Sequence, residues 1–522
     1  MSAPAWSSRL LAALSLAGLP ACVVAQGVEP VLVDTAVQAR FDPVRLPGGE
    51  HMGVVTTSWL LHHEGWWWGP AVSAAATGHR GGLFVLGAQA TRRWAWRPDG
   101  LGVAMADDPD WLETSVVVGA GGGAGAPVGG GLMVLPALTW MHDWGGWQGG
   151  LSLSQLSFPS GGIRSQQLGL VLQWDGVWRR WPASAAGELA GAGQGLMARH
   201  AGPIQPGVLG WQRVQVQAGW LRPRGAARLG MIGALAEHDQ DTDLSWTLES
   251  HAAAHGGADG YMEVLGGAAW RIGLDRLWAD GPDARRGPSL GLRAAMGLGG
   301  GGAVPTGGGL LAKAGVQARW PMGWTWPWAA GAYLQLDAGG VVGQGQHRAR
   351  YLMAGLGWDW TEALQGQPGR VQGWRASASW QRQTSAARKS GQAAALDTIG
   401  VKLQPDDGAG CAPQVQAHSA YGGGAGAYSL GLVGLGCATA PGAWQLGAEA
   451  SVGAAGGGGV ATYGGAVAQA QVWLATELSE ASSVQVGLGR LRSLKPGTDA
   501  VPALDTPVVD VSWRWRFGQV GR

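Results

Sequence analysis

From Val509 to Phe517 apolar and polar side chains alternate strictly. Val509, Val511, Trp513, Trp515 and Phe517 fall on one face, and Asp510, Ser512, Arg514 and Arg516 on the other. A period of two puts these sets on opposite sides of a β-strand. The pattern recurs upstream. Trp374, Ala376, Ala378 and Trp380 oppose Arg375, Ser377, Ser379 and Gln381. Leu168, Leu170, Leu172 and Trp174 oppose Gln167, Gly169, Val171 and Gln173, and Val214, Val216, Ala218 and Trp220 oppose Arg213, Gln215, Gln217 and Gly219. Each segment spans about ten residues, the length of a tilted strand crossing a bilayer. Each apolar face carries Trp near an end, where an amphipathic ring sits at the boundary between water and lipid. Hydrocarbon tolerates no unpaired backbone group, so such strands must close into a barrel. Somewhat more than twenty candidates lie between Gly53 and Phe517, and bacterial single-chain barrels have an even strand number. The expectation is an all-β fold: one large antiparallel transmembrane β-barrel of roughly 20–24 strands. A barrel that wide cannot be filled by side chains, so its lumen would hold water or a plug of loops.

The charged last strand, almost at the C-terminus, resembles the final strand of Gram-negative outer-membrane β-barrels, which usually ends in an aromatic residue read by the assembly machinery. Here Gly518-Gln519-Val520-Gly521-Arg522 follows Phe517, a departure that touches the assembly signal but not the strand. The resemblance implies an outer-membrane location, lipid and lipopolysaccharide as surroundings, and the barrel-assembly machinery as a partner. It implies a porin-like passage for small solutes, passive or loop-plugged. Asp510, Arg514, Arg516, Arg375, Gln381, Arg213, Gln215 and Gln217 would face the lumen and filter by charge and size. Trp513, Trp515, Phe517, Trp374, Trp380, Trp174 and Trp220 would face lipid or its interface. The alternative is an export or surface-display barrel that passes a polymer or anchors a partner. A barrel-embedded hydrolase and a secreted soluble β-repeat protein rank below these.

Residues 1–25 change the picture by adding a leader. Arg9 precedes an apolar run from Leu10, and Val23-Val24-Ala25 leaves small or modest side chains before a cut between Ala25 and Gln26. The expected division is a cleaved signal peptide at 1–25 and a segment at 26–52 in the periplasm or lumen. The barrel would occupy 53–517 and a tail 518–522. Export removes Cys22 and places Cys411 and Cys437 in an oxidising compartment. They flank an apparent hairpin, so a disulfide between neighbouring strands is expected.

Gly119-Ala120-Gly121-Gly122-Gly123-Ala124-Gly125-Ala126-Pro127-Val128-Gly129-Gly130-Gly131-Leu132 returns as Gly297 to Leu310, with a weaker echo from Gly453 to Val467. The strands around Trp174, Trp358 and Trp515 hold the same place after each copy. Repetition of a hairpin unit suits a barrel built by duplication. Glycine here suits tight turns and bends in a curved sheet.

Composition then excludes several classes. Of 522 residues 94 are Gly and 31 Trp; there is no Asn, and Lys occurs only at 313, 389, 402 and 495. This bias reads as a GC-rich genome. The net charge of +1 lacks the basic excess of a nucleic-acid binder. The 46% apolar content argues against disorder. The single long apolar run, at the N-terminus, excludes a polytopic helical protein.

Candidate chemistry is sparse. Gly297, Gly299 and Gly302 fit G-x-G-x-x-G, but Pro305 and more glycines follow where a helix should start. Gly287-Pro288-Ser289-Leu290-Gly291 fits G-x-S-x-G with Asp337 and His347 downstream, yet lacks an α/β setting. Asp239, Asp241 and Asp243 have calcium-loop spacing without that motif's Gly and distal Glu. His251 and His255 make an incomplete metal site, and His62-His63 would point to opposite faces. Without Asn, the Ser-His-Asn arrangement of the outer-membrane phospholipase family cannot be built. Asp107-Asp108 and His142-Asp143 only loosely match the omptin-like proteases. The sequence therefore implies no enzyme, cofactor or metal.

Overall fold

The computed structural model describes residues 28–97, 100–103, 108–188, 211–239, 243–274, 287–322, 331–359, 370–406 and 408–520. The leader 1–25, the cut at Ala25 and Gln26, Cys22, Asp107 and Asp241 lie outside the described residues.

Period-two patterning produces strands throughout. The first group is β1 (Val31–Arg45), β2 (His51–His63), β3 (Trp66–Thr77), β4 (Phe84–Arg97), β5 (Gly100–Val103), β6 (Asp110–Gly122), β7 (Leu132–Asp143), β8 (Gln148–Ser157) and β9 (Arg164–Arg180). The second is β10 (Arg213–Pro223), β11 (Leu229–Asp239), β12 (Leu244–His255), β13 (Met262–Gly273), β14 (Ser289–Gly300), β15 (Leu310–Pro321), β16 (Ala332–Gly343) and β17 (Arg348–Asp359). The third is β18 (Val371–Ala387), β19 (Ala393–Pro405), β20 (Gly410–Ala420), β21 (Ser429–Ala438), β22 (Trp444–Gly456), β23 (Ala466–Ser479), β24 (Ser482–Ser493) and β25 (Asp505–Val520).

Pairing is antiparallel, and each group closes on itself. Strand β9 returns to β1 with Phe41 opposite Leu170, β17 returns to β10 with Val216 opposite Leu356, and β25 returns to β18 with Ser379 opposite Ser512. The described residues thus form three eight-stranded barrels, with β5 a short flap on β4. The single large barrel expected from the strand pattern is corrected. Alternation reports that a strand has a lipid-like face and a wet face, but not which strand it returns to, so eight and twenty-four strands carry the same signature. The segment 26–52 is also corrected. Its residues Val31–Arg45 form β1, whose mixed outer face of Val, Thr, Ala, Phe and Pro hid the alternation. Residues 518–520 of the expected tail instead continue β25, which runs through Val520 opposite Val371; Gly521 and Arg522 lie outside the described residues.

An even strand count puts the ends of every barrel on one side. We call this side the terminal end. The opposite side carries the turns after β1, β3, β6 and β8 and their counterparts, and here the three barrels meet. The glycine-rich segments that recur in the sequence follow the fifth barrel strand in each case (β6, β14 and β22), and pack against the turn after the third strand of another barrel. Gly81 N donates to Gly307 O at 2.8 Å, joining barrel one to barrel two. Gly426 N donates to Gly129 O at 3.1 Å, joining barrel three to barrel one. At the remaining joint the corresponding place holds Asp259, which accepts from Thr462 Oγ1 at 3.1 Å and pairs with Lys389 at 2.9 Å. Each contact is head-to-tail, and the three close into a ring.

The joints need bare backbone. A Cβ on Gly82, where φ is +97°, would fall on the Gly301 backbone. Within barrel one, Arg80 ties three turns together at this end, donating to Glu50 at 2.6 Å and to Ala124 O at 2.9 Å. The hydrogen bond from Arg80 holds the Glu50 carboxyl below the usual glutamate range.

Two predictions follow from this end of the molecule. Gly82→Ala should cost about 1–3 kcal/mol from overpacking, on top of the strain of positive φ. It should therefore lower the thermal midpoint in detergent more than Gly225→Ala, whose φ is also positive but whose Cβ meets open space. A depressed carboxylate pKa contributes stability above the ordinary glutamate range and loses it as pH falls through the lowered value. Wild type should be more stable than Glu50→Gln at neutral pH, and thermal scans down into the acid range should show the difference shrinking to nothing.

Candidate functional site: filled lumens and a lipid-like outer face

Eight strands enclose a bore that side chains can fill. The alternating sequence sends its polar residues inward, where burial forces them to pair. In barrel one, Glu113 accepts from Gln38 at 2.9 Å and Arg93 at 3.1 Å, and Arg93 reaches Asp175 at 3.2 Å. Arg40 lies 2.9 Å from Asp42, both buried. In barrel two, Glu237 accepts from Arg213, Arg271 and Arg319, each at 2.7 Å. Arg213 also binds Asp239, and Asp359 at 3.2 Å. Deeper in the same bore Lys313 lies between Glu249 at 3.1 Å and Glu263 at 3.2 Å, and Arg293 bridges Glu249 at 3.1 Å and Asp337 at 2.5 Å. In barrel three, Asp510 accepts from Lys402 at 3.2 Å and from Ser379 and Ser512 at 2.7 Å, while Lys402 also approaches Glu449 at 3.5 Å.

Towards the joined end, each bore changes to packed hydrocarbon. Val44, Met52, Leu83, Val117, Leu135 and Phe158 belong to such a cluster in barrel one. Leu221, Met231, Tyr261, Leu265, Leu311 and Met353 do so in barrel two, and Leu396, Tyr428, Leu432, Val467, Leu491 and Leu504 in barrel three. Every lumen is therefore an ionic layer stacked on an apolar one, with turn residues such as Leu83, Tyr261 and Tyr428 folded in at the joined end. The expectation of one wide bore is corrected, because eight strands enclose a lumen narrow enough for side chains to fill.

The sequence-selected polar residues divide between two lumens. Asp510, Arg514, Arg375 and Gln381 are buried inside barrel three, and Arg213, Gln215 and Gln217 inside barrel two. Arg516, at the terminal end of barrel three, is less enclosed and pairs with Glu477 at 2.7 Å. Arg375 pairs with Asp406 at 2.6 Å. Sequence reasoning missed Glu113, Glu237, Glu249, Arg293, Lys313, Lys402 and Glu449. Their signal was present: in Leu310-Leu311-Ala312-Lys313-Ala314, a lone charge in an apolar strand must point inward.

The aromatic set divides as well. Trp174 is 58% and Trp513 49% exposed, while Trp515, Trp380 and Trp220 are half-buried. Trp374 and Phe517 do not reach the outer surface: they are paired neighbours on β18 and β25, 3% and 2% exposed. The Phe517 ring meets Trp178 of barrel one at 5.3 Å. Beside them Trp181 exchanges backbone hydrogen bonds with Gly518, so the residues past Phe517 tie barrel three to barrel one. The bond of Cys411 to Cys437 spans directly opposed positions of β20 and β21.

The remaining motifs are scattered. Ser289 begins β14 at the terminal end and His347 lies in a turn at the other, while Asp337 is inside barrel two with Arg293. Gly299 and Gly302 belong to the strand end and turn of a joint. His251 is buried inside barrel two, 2.7 Å from Gln217, whereas His255 is exposed at its strand's end. His62 and His63 lie on opposite faces of β2. Asp239 is held by Arg213, and His142 is 3.0 Å from Asp110.

Outside, the barrels are apolar. Leu168, Leu170 and Leu172 are 71%, 60% and 58% exposed in one strand, and exposed Leu and Val recur on all three barrels. Exposed tryptophans (Trp66, Trp140, Trp147, Trp270, Trp320, Trp444) gather in the terminal half. No helix among the described residues is long and apolar enough to cross a membrane, which says nothing of strands.

Comparison with known proteins adds little. No known family profile matches the chain, and no curated protein matches it. Solved structures that align with it include OccK11 (OpdR) of Pseudomonas aeruginosa, 11% identical over 94% of this chain and 98% of that one, with a TM-score of 0.19. The outer membrane protein OpdK of the same organism is 8% identical over 93% and 98%, with a TM-score of 0.20. The ferric enterobactin receptor PfeA, also from that organism, is 8% identical over 94% and 82%, with a TM-score of 0.27. At such scores the functional argument rests on this chain's own surfaces and interiors.

Removing one member of a buried ionic cluster strands the others. Lys313→Met should destabilise the protein by about 3–5 kcal/mol, read as a fall in denaturation midpoint in detergent. Arg490→Ala, which removes the exposed partner of Asp505, should leave that midpoint close to wild type.

Proposed function

We propose that the chain is an integral outer-membrane protein whose three sealed barrels form one membrane-embedded body, a surface-display anchor rather than an open pore. The observation that carries the reading is the pairing of an apolar exterior on all three barrels with bores closed by apolar layers. Contiguous exposed hydrocarbon of this extent is costly in water and favourable in lipid. Tryptophans gathered at one end suit one membrane interface. An exported chain inserting hairpins leaves both its ends on the side from which it enters, so the terminal end faces the periplasm. The opposite face is then built of the glycine-rich turns. Lipid and lipopolysaccharide are the surroundings, and the barrel-assembly machinery is the partner that inserts it.

A second reading is a narrow ion passage, closed at rest. It is favoured by buried polar atoms in the bores without protein partners, among them Gln215 Nε2, Gln217 Nε2 and Arg293 Nη1, which water would satisfy. Passage would require the apolar layer to part.

Both readings are open to direct test. The protein should remain with membranes through alkaline washing and leave only with detergent; release without detergent overturns the membrane placement. In planar bilayers the wild-type protein should leave the conductance at baseline. Steady ohmic steps would replace the anchor reading with a channel.

A further inference from the structure

The ring of joints encloses a space that belongs to none of the three bores. It lies on the common axis, has a volume of about 760 Å³, and draws its walls from all three barrels. In each barrel the wall is the outer face of the third and fourth strands: Val72 and Leu86, Ser250 and Val264, Ala417 and Gly431. Turn residues of the glycine joints, including Gly82, Gly301 and Gly457, bound it at the joined end.

Its lining is mostly apolar, with His79, Ser250, Thr306, Ser419 and glycine backbone as a polar minority. Among the described residues no Asp, Glu, Lys or Arg lines it. The volume falls within the range of ligand sites, about 300–1,000 Å³. The same strand faces continue towards the terminal end with exposed Trp68, Trp246, Leu248, Val415 and Leu435, so the wall of the cavity and the lipid-like surface are one surface. Small side chains and bare glycine backbone at the ring leave the space open where larger residues would have filled it.

We propose that this axial space is a binding site for the acyl chains of a membrane phospholipid, which enters from the terminal side and stops at the glycine ring. The lipid fills the gap that three convex barrels cannot close with side chains. The site rests on the membrane reading above, and fails separately from it.

The protein extracted in mild detergent and washed until surface lipid is removed should still carry phospholipid in native mass spectrometry. Ser250→Trp combined with Ala417→Trp, which fills the space from two walls, should lose that lipid while keeping its strand content by circular dichroism. In wild type, a phospholipid with a photoreactive group on its acyl chain should crosslink to peptides containing Val72, Val264 or Gly431 after the same washing; this second measurement stands even where the filled variant does not fold. The proposal is overturned if washed wild type carries only detergent, if the folded filled variant retains as much lipid as wild type, or if crosslinks map only to outer faces such as Leu168–Leu172. A protein that needs detergent yet holds no lipid sinks this site alone, whereas one soluble without detergent sinks the membrane reading itself.

Discussion

Backbone hydrogen bonding in hydrocarbon is the constraint from which the remaining structure follows. A strand whose outer face is Leu168, Leu170 and Leu172 cannot leave its N–H and C=O groups unpaired, because lipid offers no substitute for water. Antiparallel closure meets that demand, and here it is met three times, each time by eight strands. Closure at eight brings opposite walls close enough for side chains to meet across the bore. Inward polar residues must then find one another. Glu237 among three arginines and Lys313 between two glutamates are the result. Such clusters define which side chains belong together more than they add net stability, since desolvation offsets much of the attraction.

Three small barrels present a problem that one large barrel does not: convex surfaces touch along narrow strips. The chain answers with backbone contact at one end. Two joints use a glycine N–H donating to a glycine carbonyl, and the third substitutes the Asp259 carboxylate, held by Thr462 and Lys389. In that copy Tyr463 stands where the others have Gly129 and Gly307, while the backbones of Gly456 and Gly260 still meet closely. Near the other end, Trp178, Trp515 and Phe517 interlock barrels one and three, and the Trp181–Gly518 backbone pair extends that seam.

Much of this was legible along the chain. The inward set Asp510, Arg514, Arg375 and Gln381 is buried because alternation is a local property that a strand carries into any barrel. The same logic would have found Lys313 and Glu249, had lone charges in glycine-rich strands been weighed as strongly as charges in clear alternation. Trp374 and Phe517 were misread from the same pattern, since a residue on an outer face is covered where another part of the chain packs on it. The strands around Trp174, Trp358 and Trp515 were recognisable as equivalents, but that equivalence does not reveal that each closes its own barrel.

The sequence alone determined the all-β class and, in the clearly alternating strands, which residues face inward, because these depend on side-chain period and on the cost of burying polar groups. Only the tertiary structure decided how many barrels form, which charges meet, and what the recurring glycines are for. Those depend on which distant strands pair: β9 with β1, β17 with β10, β25 with β18. Such pairing rests on contacts between residues more than a hundred positions apart, which no local pattern encodes.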